Sequence, residues 1–187
     1  MRKPRVKPGD TVQPHLKSPG GTSCGDKNLP EPIMIAIFAI MSKVTAYYHI
    51  VFCTKAREMT IPLSYKEDVY RFIWSEIKKH KCDLLRIGGI QNHVHMLINL
   101  HPTMALAKLM QEIKSRSSAW MNADARFVGF RGWAADYYAC TISPELRYRV
   151  CEYIRNQEMH HKVTAVDDEF SDMYRYADVE YDSRDLK

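Results

Sequence analysis

The sequence has no CxxC pair, no internal repeat and no apolar run long enough to cross a bilayer. Each absence closes a class. The five cysteines (Cys24, Cys53, Cys82, Cys140 and Cys151) are an odd number without metal-ligand spacing. That argues against both a disulfide framework and a zinc ribbon. Cys53, Cys82 and Cys140 stand in apolar, strand-like runs, where a thiol acts as a small buried side chain. Free thiols fit a reducing, cytoplasmic compartment. The apolar run at residues 33–41 falls well short of the roughly 20 residues a membrane helix needs. A long, Pro-broken basic stretch precedes it and no small-x-small cleavage site follows, so it does not read as a secretory signal.

What is present is charge, unevenly placed. Residues 1–40 hold six Lys/Arg against three Asp/Glu, and residues 164–187 hold three against eight; the overall net of +5 leaves +7 for the stretch between. A basic folded core suits a polyanionic partner. The 187 residues fit one domain with a proper core. Residues 1–32 are rich in Pro, Gly, Lys and Ser, lack apolar periodicity and read as disordered. With Met41 as the natural start, residues 1–41 are expected to be a disordered or non-native N-terminal extension. Residues 42–163 then form the domain, and 164–187 an acidic C-terminal tail.

Within the domain, residues 44–53 read as a strand, and residues 62–80 as a helix with a Val69, Phe72, Ile73, Ile77 stripe. Residues 83–90 and 93–100 read as strands, with Gly88-Gly89 as a turn or bulge between them. A second helix follows from His101 to about Asn122, striped by Leu106, Leu109, Met110, Ile113 and Trp120. Residues 136–142 are a fourth strand. Ser143 as N-cap and Pro144 at the first helical position open a last helix. The order β-α-β-β-α-β plus a C-terminal helix predicts an α+β, ferredoxin-like sandwich. Right-handed crossovers put both long helices on one sheet face and leave the other free.

That free face matters because of His93-Val94-His95. On a strand both imidazoles leave the same side while Val94 points into the opposite layer. Two imidazoles side by side are half of a divalent metal site. Chance supplies about 0.15 such pairs in a chain of this composition, so solvent-facing histidines on an edge strand remain an alternative. Further on, residues 150–161 read as helix, with Tyr153 and Gln157 on one face. A phenol can be a nucleophile, and a Gln carbonyl oxygen is a neutral metal ligand.

Taken together, these motifs resemble the single-tyrosine HUH transposases of the insertion-sequence 200/605 type and their domesticated relatives associated with repeated extragenic palindromes. His93-Val94-His95 matches the HUH motif. Tyr153-Ile154-Arg155-Asn156-Gln157 matches the tyrosine helix, Tyr48-His49-Ile50-Val51-Phe52 the first strand, and Ile113-Lys114-Ser115-Arg116 the middle helix. The likeness runs from about residue 42 to 175. It departs at Gly132-Trp133-Ala134-Ala135-Asp136-Tyr137-Tyr138, where family members often carry a Trp-Gln-x-Gly-Tyr-like stretch.

The resemblance implies Mg²⁺ or Mn²⁺ held by His93, His95 and Gln157, although imidazole-rich ligation alone also suits Zn²⁺ or Ni²⁺. It implies that Tyr153 attacks phosphorus to give a 5′-phosphotyrosine. The substrate would be single-stranded DNA with hairpins, and the assembly a homodimer whose tyrosine helix can complete a partner's site. His49 is expected beside the histidine pair as a supporting residue. His160 and His161 are read as structural or DNA-backbone residues. Lys55, Arg57, Arg86, Lys114, Arg116 and Arg131 are candidate phosphate contacts. Phe130, Trp133, Tyr137 and Tyr138 are candidates for stacking on bases. Three other readings stay open: a domesticated hairpin-DNA-binding protein, an HUH replication or transfer nickase, and a metal-binding or oligomerising protein without DNA chemistry.

Overall fold

The computed structural model describes residues 43–182; the expectations for residues 1–41 lie outside the described residues. The elements are β1 (Tyr47–Cys53), α1 (Lys66–Lys79), β2 (Asp83–Ile90), β3 (His93–Asn99), α2 (Leu106–Ala123), β4 (Tyr138–Thr141), α3 (Arg147–Arg155), α4 (Gln157–His160) and α5 (Val166–Tyr176). The sheet order is β2-β3-β1-β4, every pair antiparallel. This is the expected ferredoxin-like α+β arrangement, with β3 inside the sheet. No helix of the described residues is long and apolar enough to cross a membrane.

Alternation builds the layers. Ile50 and Phe52 of β1 and Val94, Met96 and Ile98 of β3 share one face and are fully buried. They meet Val69, Ile73 and Ile77 of α1 and Leu109, Met110 and Ile113 of α2 in one cluster. Burying each such side chain is worth roughly 1.5–3 kcal/mol, so this layer supplies most of the driving force. Phe72 and Trp120 close the seam between the two helices as stacked rings 4.7 Å apart.

The second face departs from expectation. It is not free: α3, α4 and α5 cover it. Ile154 packs on Leu97, and Phe170, Met173 and Tyr174 of α5 pack on Val51, Cys53 and Tyr138. The acidic segment after residue 163 therefore contributes a packed helix. Its acidic side chains Asp167, Asp168 and Glu169 occupy the first turn, where they complement the helix dipole. Phe170, Met173 and Tyr174 recur at helical spacing and face the sheet.

Two local signals act differently from their sequence reading. The irregularity in β2 falls between Leu84 and Arg86, and Gly88 and Gly89 stay in the strand. Ser143 does not cap α3: its hydroxyl bonds the Glu145 carboxyl, and the helix begins at Arg147 after a turn in which the Leu146 N–H donates to the Ser143 carbonyl (3.1 Å). α3 ends at Asn156 (φ −94°, ψ 13°), so Gln157 opens a separate short helix.

Gly88 shows how closely the tyrosine helix sits on β2. A Cβ there would collide with the Ile154 carbonyl oxygen and lie 3.1 Å from Ile154 Cγ2. Gly88→Ala is therefore expected to lower stability by about 1–3 kcal/mol, read as a shifted urea midpoint. An unchanged midpoint would mean that α3 is not docked on β2.

Candidate active site

The sheet register places the histidines. Val51 pairs with His95, Cys53 with His93, and His49 with Leu97. His93 and His95 are 0 % exposed, which removes the reading as solvent-facing residues on an edge strand. His49 lies beside them, with its Nε2 3.1 Å from His95 Nδ1 and the two rings stacked. His93 Nδ1 lies 2.8 Å from Asn92 Oδ1. The Asn92 amide nitrogen donates to the Arg57 carbonyl oxygen (3.3 Å), which fixes which way the amide faces. His93 Nδ1–H is thus the donor and Nε2 presents its lone pair.

Glu169 of α5, 2 % exposed, stands at the centre. Its Oε1 accepts from the Tyr153 hydroxyl and from Gln157 Nε2 (3.0 Å) and lies 3.5 Å from His95 Nε2. Its Oε2 lies 2.9 Å from His161 Nε2 and 3.7 Å from His93 Nε2. Tyr153 and Gln157, although on different helices, thus converge on one carboxylate. His160 stacks edgewise on Tyr153, with its Nε2 3.8 Å from Glu169 Oε1.

Ligand atoms of His93, His95 and Glu169 all lie within 4.8 Å of one another. His95 Nε2 and Gln157 Oε1 are buried without a hydrogen bond. Each such atom costs roughly 1–3 kcal/mol if left unpaired, and a divalent cation in their midst would engage them. The donor set therefore fits a metal ion.

Burial lowers the pKa of His93 and of His49 to about 4, and that of His95 well below its ordinary value. All three rest neutral, the form that binds metals. Burial would raise the Glu169 carboxyl, but the His161 hydrogen bond, the charges of His95 and His93 and the Tyr153 hydroxyl outweigh it and hold the group well below the usual range. Because His93 and His95 are neutral at pH 7, His161 is the partner that counts. Burial lowers the His161 pKa, yet the Glu169 carboxylate raises it overall. Burial, with the charge and hydrogen bond of Glu169, pushes the Tyr153 phenol well above its usual value. A cavity of about 400 Å³, lined by His49, Arg149, Tyr153, His160, Glu169 and Tyr176 among others, opens onto this cluster.

The basic candidates divide. Lys55 and Arg131 are exposed, and Arg86 is half-buried. Arg116 faces the buried Glu76 of α1, 3.5 Å away. Lys114 donates to the Ala135 and Asp136 carbonyls (2.6 and 3.2 Å), tying down the loop before β4. Arg57 pairs with Asp167 and Tyr181 and lies over the Phe170 ring, so it anchors α5. Of the aromatic candidates, Phe130, Trp133 and Tyr138 are buried and serve the core. Trp133 donates to Ser117 Oγ (2.8 Å) and Tyr138 to the Met173 carbonyl (3.1 Å).

The fold matches that of a tyrosine transposase. A structure of a REP-associated tyrosine transposase bound to a REP hairpin superposes with a TM-score of 0.51 at 13% identity, covering 65% of this chain and 74% of that one. The chain also matches the family described as Transposase IS200 like over residues 42–157, and it belongs to that family. ISDra2 transposase TnpA of Deinococcus radiodurans is 20% identical over 115 residues, 59% of this chain and 82% of the relative. Family membership implies a DNA-cleaving enzyme of single-strand transposition.

The depressed imidazoles set a pH window. Between about 6.5 and about 4 the unfolded chain protonates histidines that the fold keeps neutral, so stability is lost as pH falls through that window. His49 and His93 each remove at most roughly 3 kcal/mol. Urea midpoints of chelator-treated protein should drop between pH 7 and pH 4.5. A flat profile would show that these rings are not held neutral.

Proposed function

We propose that this transposase cuts and rejoins single-stranded DNA at hairpin-forming ends through Tyr153. The observation that carries this reading is the meeting of the Tyr153 hydroxyl with the His93, His95 and Glu169 cluster inside one chain of this family. The hairpin bound to a transposase of the same fold supports hairpin DNA as the ligand.

In the forward step the phenolic oxygen attacks phosphorus. The bond to the 3′ oxygen breaks, leaving a 3′-OH and a 5′-phosphotyrosine. Attack by a 3′-OH reverses the step and expels the phenol, so joining needs no ATP. His93 and His95, with the oxygens of Gln157 and Glu169, would hold a divalent cation, Mg²⁺ or Mn²⁺, which when bound would supply charge to polarise the phosphate. Glu169 Oε1 holds the Tyr153 hydroxyl, and Gln157 Nε2 fastens that oxygen. His49 orients His95 from behind. Lys55, Arg86, Arg116 and Arg131 serve backbone phosphates, while Arg57 and Lys114 act by holding α5 and the loop before β4. Each subunit of a homodimer completes its own site, and two copies supply the two tyrosines that transposition needs. The enzyme works in the cytoplasm.

Incubation with hairpin-bearing single strands and Mn²⁺ should give a covalent adduct on denaturing gels, and Tyr153→Phe none. An adduct surviving that change would assign the nucleophile elsewhere. His93→Ala is expected to slow cleavage by about 100-fold or more while hairpin binding persists. A mixture of the two variants should stay inactive; restored cleavage would show that sites are completed between subunits.

A further inference from the structure

His160 and His161 are the imidazoles at the cluster that the reading above leaves without a chemical task, and His161 is the more deeply buried of the two. It lies at the C-terminal end of α4, its side chain 6% exposed. Its Nδ1 faces the Thr164 carbonyl oxygen at 3.3 Å, an atom that can only accept, so Nδ1–H is the donor. His161 Nε2 then meets His93 Nε2 at 3.2 Å. His93 has likewise committed its Nδ1–H, to Asn92 Oδ1. Two ring nitrogens with committed partners therefore point at one another, with Glu169 Oε2 2.9 Å from His161 Nε2. Lone pairs so arranged repel unless a positive centre lies among them: a proton on His161 Nε2 donated to Glu169 Oε2, or a cation that displaces that proton.

The spacing identifies that centre. Donor atoms roughly 2.1 Å from one cation, at tetrahedral or octahedral angles, stand about 3.0–3.4 Å apart. The His93–His161 distance falls inside this range, and the Glu169 contacts at 2.9, 3.5 and 3.7 Å bracket it. We propose that His161 is a further metal ligand, so that three imidazoles (His93, His95 and His161) hold the cation beside the oxygens of Glu169 and Gln157. This rests on the reading of His93 and His95 as a cation site. His161 and Glu169 both lie beyond the stretch that matches the family, residues 42–157.

The consequence is selectivity. Three imidazoles favour first-row transition ions over Mg²⁺, which prefers oxygen ligands and retains its waters. The resting enzyme therefore carries a transition ion in preference to Mg²⁺.

The test is metal binding by the full chain without DNA. Co²⁺ should bind with a visible band from its imidazole field. His161→Gln should weaken Co²⁺ affinity at least about tenfold and alter the band, with little effect on Mg²⁺ affinity. Unchanged Co²⁺ affinity and spectrum would overturn the inference and leave His161 as a protonated partner of Glu169. Should that variant fail to fold, X-ray absorption on the Zn²⁺-loaded wild type counts the imidazoles: three support the inference and two overturn it. Adduct formation, assayed separately, keeps the functional reading distinct. A His161-dependent Co²⁺ site without any adduct would sink the transposition chemistry alone, and an adduct with a His161-independent site would sink this inference alone.

Discussion

One carboxylate organises the second face of the sheet. Glu169 is sunk among imidazoles, with a phenol and an amide as donors to its Oε1. An isolated buried carboxylate would be costly, and so would a group of buried imidazoles with unanswered nitrogens. Together each relieves the other. The arrangement holds only because α5 is pinned by Phe170, Met173 and Tyr174 at its inner stripe and by Arg57 at its first turn. The chemistry of the strand histidines therefore depends on a helix that arrives more than sixty residues later in the chain.

The two faces of the sheet divide the work. The face toward α1 and α2 is largely apolar and supplies stability. The face toward α3, α4 and α5 spends part of that stability on buried polar groups. Functional sites commonly draw on the surrounding core in this way. Gly88 and Ile154 show the cost in space as well, because the tyrosine helix sits so near β2 that no side chain fits between them.

The sandwich was legible because period-2 and period-3.6 patterns are strong in β1, β3, α1 and α2. The histidine pair was legible from strand alternation, and His49 from its place on the neighbouring strand. Glu169 and His161 were not. In residues 164–187 a count of charges hid the Val166, Phe170, Met173, Tyr174 stripe, which marks an inward face one residue away from Glu169. His161 looked peripheral because it lies two turns past Tyr153, although its spacing of four from Gln157 puts both on one helical face. The aromatic residues of 130–138 looked available for bases because sequence does not show which ring closes the core over Ser117 and which meets α5.

The kink at Asn156 has a mechanical meaning. An unbroken helix would swing phenol and amide as one rigid lever. Here the joint between α3 and α4 gives each its own pivot. The phenol and the amide thus meet one carboxylate from two separately held segments of backbone.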